Sequence, residues 1–263
     1  MSRFSNMQQR PESVAMSGQA PFTWVSAAAT DIGRVRQINE DAYLERTDIG
    51  LWVVADGMGG HHAGDVASSS IVEILDETQS RDHLSDYVDE VEDRIITANN
   101  ELVRLAQQHH DNRTIGSTVV AMIAVEGHCA VLWAGDSRVY RCRNQQCMQL
   151  TRDHSQVEEM VQQGIIKREE AEEHPASNVI TRAVGAADKI YVDIDIVEAQ
   201  PNDTYLLCSD GLNKHVSDEE IARFLQNENL AEIPQQLVKA TLDRGAIDNV
   251  TVIVVRALSK QNA

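Results

Sequence analysis

Three features of the 263-residue sequence predict an α+β fold built from antiparallel strand pairs. Short β-rich runs recur from Phe22 onward, helical patterns fall between them at irregular intervals, and strands come in consecutive pairs such as 118–125, 130–134 and 137–142. Consecutive pairing favours antiparallel hairpins over a doubly wound parallel sheet, whose strands need long crossovers. Hydrophobic residues at 42% and charged residues at 24% match a globular chain, and one domain of this length holds a single large core in one or two sheets.

Taken in order, residues 1–21 are polar, rich in Ser and Gln and free of periodicity, so a flexible N-terminal tail is expected there. Strands are expected at Trp24–Ala28, Leu51–Ala55, Thr118–Val125, Ala130–Ala134, Tyr191–Val197, Thr204–Cys208 and Val250–Val255. The clearest helix runs over 84–108, where Leu84, Val88, Val91, Ile95, Ala98, Leu102 and Leu105 recur at alternating steps of four and three. Such spacing makes one apolar stripe, as on a helix packed against a sheet. Further helices are expected at 63–77, 155–163, 217–226 and 230–242. The single domain then covers 22–258, followed by a short C-terminal tail at 259–263.

Acidic residues outnumber basic ones by 41 to 23, a formal charge of −18, which argues against affinity for nucleic acid or an anionic membrane. A cationic partner or bound cations fit better. Four cysteines without a CxxC spacing are neither a disulfide framework nor a zinc site. No signal-peptide core and no stretch of about 20 apolar residues is present, so a cytoplasmic location is expected.

Aspartates recur where strands end. The run Leu51–Ala55 delivers Asp56 to a loop containing Gly57, Gly59 and Gly60; Asp136 follows Ala130–Ala134; Asp210 follows Thr204–Cys208; Asp248 precedes Val250–Val255. Upstream, RQINEDAY brings Arg36, Glu40 and Asp41 into one loop. Any one of these reads as an ordinary Asp-Gly turn or loop cap. Gathered at one end of a sheet, however, carboxylates repel one another unless cations neutralise them. Hard oxygen ligands with glycine carbonyls nearby suit Mg²⁺ or Mn²⁺. Nucleotide binding through DGMGGH is excluded, because the Gly-Lys-Ser/Thr ending of a P-loop is missing.

The ordered series RQINEDAY, VVADGMGGH, GSTVV, AGDSRVYR, LTRDHS, NVITRAVG, LLCSDGL and DNVTVIVV resembles the metal-dependent protein Ser/Thr phosphatases of type 2C, the PPM family, in their compact bacterial form. The match runs from about Asp31 to Val255. The resemblance implies two antiparallel β-sheets packed as a sandwich with helices on both outer faces. It also implies hydrolysis of phosphoserine and phosphothreonine in proteins, opposing a cognate bacterial Ser/Thr kinase in signal transduction. The expected protein is a monomer that takes phosphorylated protein substrates. A catalytically inactive binding or regulatory module of the same fold is the alternative.

By the same resemblance, Asp56 bridges two Mn²⁺ or Mg²⁺ ions, the Gly57 carbonyl binds one of them, and Asp210 and Asp248 complete the shell of the first ion. Glu40 and Asp41 match an acidic pair acting largely through water, and Asp136 with Asp210 matches a third, weaker ion site. Arg36 matches the arginine that grips the substrate phosphate; its ordinary reading is a salt bridge to Glu40 or Asp41. Two ions about 3.5 to 4 Å apart share and acidify one water for in-line attack on phosphorus. A histidine proposed as general acid in animal relatives directly follows the Asp-Gly pair, but Met58 stands there in this chain. His61 and His62 lie five and six residues beyond Asp56. Either of them, or a water, could protonate the leaving alkoxide, and His62 is the histidine chosen as the catalytic candidate. The segment at about 153–177 corresponds to the flap of bacterial members, and its many acidic residues read as a solvated helical face.

In the hairpin VYRCRNQQCMQL, a two-residue turn at Asn144 and Gln145 places Cys142 opposite Cys147 with both sulfurs on one face. Two readings stay open: reduced cysteines acting as small apolar residues, or an oxidisable pair that stiffens the hairpin after Asp136.

Overall fold

The computed structural model describes residues 22–59, 63–108 and 115–259. The chain runs through β1 (Phe22–Asp31), β2 (Asp41–Arg46), β3 (Leu51–Met58), α1 (Ala63–Asp76) and α2 (Leu84–Gln108). Next come β4 (Gly116–Ser117), β5 (Val119–Val125), β6 (His128–Ala134), β7 (Arg138–Arg143), β8 (Gln146–Gln149) and α3 (Gln156–Gln162). The last part holds β9 (Asp193–Glu198), β10 (Thr204–Cys208), α4 (Asp210–Asn213), α5 (Asp218–Phe224), α6 (Ile233–Asp243) and β11 (Val250–Ser259).

Side-chain alternation along the strands decides the architecture. In β3, Leu51, Val53 and Ala55 join one cluster and Trp52 and Val54 another, and all five are buried. A strand buried on both faces needs cover on both. One sheet has the order β1-β11-β10-β7-β8, the other β2-β3-β5-β6-β9 with β4 beside the end of β3. Every strand pairing is antiparallel. Trp52, Val54, Met122, Trp133, Tyr205 and Ile253 fill the space between the sheets. The outer face of the second sheet packs against α1 and α2 through Ile71, Val91, Ile95 and Leu102. That of the first sheet packs against α5 and α6 through Ile221 and Leu237. The expected sandwich with helices on both outer faces is borne out. Each fully buried Leu, Ile or Val contributes roughly 1.5–3 kcal/mol, which is how the α2 stripe outweighs that helix's many charges.

Several expected elements shift. The 118–125 and 130–134 runs do form the β5–β6 hairpin, but 137–142 does not pair with its predecessor. At Gly135, with φ +120, the chain leaves the second sheet and β7 pairs with β10 and β8 in the first. A Cβ at Gly135 would stand 2.6 Å from the Thr118 side chain, so only glycine makes this crossing. The expected 230–242 helix divides: a 3₁₀ turn at Leu230–Glu232 precedes α6, which carries Pro234 in its first turn. β9 starts at Asp193, two residues after the expected position, and β11 continues to Ser259, one residue past the expected domain end. Residues 1–21 and 260–263 lie outside the described residues.

Asn144 and Gln145 make the tight turn with φ of 50 and 66, without a glycine. Cys142 stands opposite Cys147 with Cα atoms 4.0 Å apart, and the two form a disulfide. Cys129 and Cys208 are free and buried.

Candidate active site

The acidic residues converge because both sheets end at the same edge of the sandwich. Asp41 and Asp56 are directly opposed in the β2–β3 ladder. Around Asp56 the backbone is held on both sides: its N–H donates to Thr118 Oγ1 at 3.1 Å, and its carbonyl accepts from Thr118 N at 2.8 Å and Ser117 Oγ at 2.9 Å. Gly57 donates to the Glu40 carbonyl at 2.9 Å, and a Cβ there would lie 2.0 Å from the Gly64 carbonyl. No other residue brings the backbone this close. Asp210 opens α4, and Gly211 beside it is equally confined, its Cβ position lying 1.9 Å from the Asn249 carbonyl. Asp136 sits on the crossing between the sheets and is buried.

Electrostatics follows from this crowding. Burial first, and then the charges of Asp41, Asp210, Asp136 and Asp248, push the Asp56 carboxyl well above its usual range. Burial pushes Asp41 up to about 7, although Ser209 Oγ donates to its Oδ2 at 2.8 Å. Burial and the Asp210 charge push Asp136 up to about 7. Burial also raises Glu40. Two cations answer part of the charge: Lys214 pairs with Asp210 one helical turn away, and Arg36 grips Asp248 with Nε–Oδ1 and Nη2–Oδ2 both at 2.9 Å. The ion-pair partner of Arg36 is therefore Asp248, not Glu40 or Asp41.

A divalent ion fits this set. Asp41 Oδ1 and Asp210 Oδ1 are buried without a hydrogen-bond partner, a costly state that a cation relieves. Among the described residues no three acidic, histidine or cysteine groups yet close on one point. Asp210 is paired with Lys214 and Asp248 with Arg36.

Several residues that hold the site are not singled out by sequence reasoning. Asn249 accepts the Glu40 N–H at 2.8 Å and donates to the Ile32 and Ile38 carbonyls at 2.9 and 3.0 Å, tying the Arg36 loop to β11. Ser209, Thr118 and Lys214 act beside the acids as described. His154 accepts the Gly135 N–H on Nδ1 at 3.0 Å, so its proton is on Nε2, 3.2 Å from Asp193 Oδ2. It stacks on Trp133 and fixes the crossing that carries Asp136. All except Lys214 lie inside motifs quoted above, and Asn249, Ser209 and His154 each adjoin an acid, which was the available signal; Thr118 in GSTVV has no acid near it in sequence.

From Asp136 and Asp210 a cavity of about 1000 Å³ extends past Lys214, His215 and Ile247 to Glu158 and Arg168. In the 153–177 segment Glu159, Glu169, Glu170, Glu172 and Glu173 are exposed, as a solvated face requires. Glu158 and Asp153 are not part of that face. Glu158 is buried and paired with Arg168, and Asp153 takes a fork from Arg138 at 2.6 to 3.1 Å. His61 and His62 lie outside the described residues.

The profile of the protein phosphatase 2C family matches residues 33–244. The serine/threonine phosphatase Stp of Listeria monocytogenes is 37% identical over 234 residues, covering 86% of this chain and 93% of that protein. The solved structure of PppA from Pseudomonas aeruginosa superposes with a TM-score of 0.84 at 39% identity, covering 89% of this chain and 98% of PppA. The catalytic domain of PstP, solved in complex with two manganese ions, gives a TM-score of 0.80 at 32% identity, covering 90% and 99%. A two-sheet sandwich with a carboxylate-lined end is thus the class to which fold and site point. The chain belongs to the protein phosphatase 2C family, as the motif series indicated.

Proposed function

We propose that this chain hydrolyses phosphoserine and phosphothreonine in proteins, with divalent metal bound at the acidic end of the sandwich. The observation that carries the reading is the meeting of Asp41, Asp56, Asp136, Asp210 and Asp248 from two sheets at one edge, with two of their oxygens left unpartnered. Its named relatives are Ser/Thr phosphatases, which supports catalysis over an inactive module.

In the proposed assignment Asp56, the Gly57 carbonyl, Asp210 and Asp248 hold two Mn²⁺ or Mg²⁺ ions, Glu40 and Asp41 assist, and Asp136 with Asp210 holds a third. These ions supply Lewis acidity, neutralising phosphate charge and lowering the pKa of water. Ser209, Thr118 and Asn249 keep the carboxylates and the Arg36 loop in place. Arg36 offers a planar fork to two phosphate oxygens once Asp248 turns inward. His62 is proposed to protonate the leaving alkoxide.

The finer reading is a cytoplasmic monomer opposing a Ser/Thr kinase, with no nucleic-acid or membrane partner. The charge of −18 supports the last point, and no helix among the described residues is long and apolar enough to cross a membrane. Hydrolysis of a phosphothreonine peptide and of p-nitrophenyl phosphate, with Mn²⁺ and with chelator, tests the activity. Asp56→Asn and Asp210→Asn should each lower turnover more than tenfold while the protein stays folded. Retention of a tenth or more at saturating Mn²⁺ would overturn the assignment, and metal-independent hydrolysis would overturn the mechanism.

A further inference from the structure

Two short segments are strapped together beside Arg36. Arg34 N–H donates to the Ala246 carbonyl at 2.8 Å, and Arg36 pairs with Asp248. Gly33, at φ +82, passes so close that a Cβ there would stand 2.3 Å from the Asp248 carbonyl. Between these contacts lie Val35 and Ile247, which are 65% and 58% exposed. Ile247 is held from beneath by its N–H bond to His215 Nε2 at 3.3 Å. Two β-branched apolar side chains are thus presented to solvent on backbone fixed by backbone contacts and an ion pair, directly beside the groups that meet phosphate.

Ile247 also lines the cavity that begins at Asp136 and Asp210. Ile247 directly precedes Asp248, the partner of Arg36, so a substrate whose phosphoryl group reaches Arg36 brings its neighbouring residues close to it. We propose that Ile247, with Val35 beside it, is the specificity-determining lip of the site, seating an apolar side chain next to the phosphorylated residue. The inference rests on the phosphatase reading and adds the sequence class of the substrate. β-Branched side chains have few rotamers to lose, so such a lip binds at low entropic cost. Occupation covers apolar surface that otherwise faces water.

The test uses one phosphothreonine peptide with Leu, Gly or Lys placed in turn before and after the phosphorylated residue, assayed in Mn²⁺. Wild-type protein should favour Leu over Gly at one of the two positions by about tenfold in kcat/KM, the low end of what a hydrophobic pocket discriminates. Ile247→Ser with Val35→Ser should bring that ratio to within about twofold of one, whereas Ile247→Leu should keep it. Melting curves establish that each variant is folded, and Ile247→Ser alone serves if the double variant is not. Equal rates for Leu and Gly in the wild type, an unchanged ratio in the serine variants, or a preference for Lys drawn by Glu169, Glu172 and Asp218 along the cavity would overturn the lip. Hydrolysis of the Gly peptide without a Leu preference overturns the lip alone. Hydrolysis of none of the peptides overturns the phosphatase reading and the lip with it.

Discussion

Asp41 and Asp56 stand directly opposite one another where β2 begins and β3 nears its end, two carboxylates at one rung of an antiparallel ladder. With Asp41 and Asp136 both raised to about 7, the metal-free native state binds more protons than the unfolded chain between about pH 4 and pH 7. Stability without metal should therefore fall as pH rises through that window. Mn²⁺ at a hundred times its Kd should restore roughly 2.7 kcal/mol by mass action. Thermal melts from pH 4.5 to 7.5 in chelator and in Mn²⁺ check this, and Asp56→Asn should melt higher than wild type in chelator. A melting temperature indifferent to millimolar Mn²⁺ would contradict a preformed site.

Arg36 holds Asp248 through both ends of its guanidinium in the absence of substrate, a pair at the protein surface. If the fork serves phosphate, Arg36→Ala should raise KM for a phosphopeptide by about tenfold or more, since hydrogen bonds to charged groups contribute about 1.5–3 kcal/mol. Arg36→Lys should not restore it, because an ammonium lacks the planar fork. An unchanged KM would reduce Arg36 to a structural partner of Asp248.

His154 accepts a backbone N–H and must stay neutral to do so. Burial lowers its pKa below the ordinary value of about 6.5 despite the neighbouring Asp193 carboxylate. The unfolded state then binds the proton more readily, so this contribution is fully present above about pH 6.5 and is lost as pH falls below it. In Mn²⁺-saturated protein, the drop in melting temperature between pH 7 and pH 5 should be smaller in His154→Gln than in wild type. Equal drops would mean that the ring does not carry the acid sensitivity.

The Cys142–Cys147 bond closes a six-residue loop at the β7–β8 hairpin, whose β7 strand follows Asp136. Chain entropy for so short a loop stabilises by about 2 kcal/mol. Unreduced protein should show both cysteines protected from alkylation, and reduction should lower the melting temperature by several degrees. Separate alkylation of both thiols before reduction would establish the reduced reading for the protein as isolated.

The short β-rich apolar runs of β3, β5, β10 and β11, and the four-three stripe of α2, were legible because each is local: composition and spacing within one short segment carry them whatever the rest of the chain does. The Asp-Gly pair at Asp56 was legible for the same reason, since a strand end followed by glycine announces a close backbone approach, as at Gly57. The sequence by itself thus determined most of the long strands and helices, the acidic inventory and, through its ordered motifs, the family. Only the tertiary structure decided that β7 leaves β6 for the other sheet at Gly135, that Arg36 meets Asp248, 212 residues away, and that Glu158 is buried against Arg168. Those outcomes depend on which sheet edge, loop and charge come to lie together. No local periodicity encodes that; it follows from packing two sheets on each other and a helical layer on each outer face.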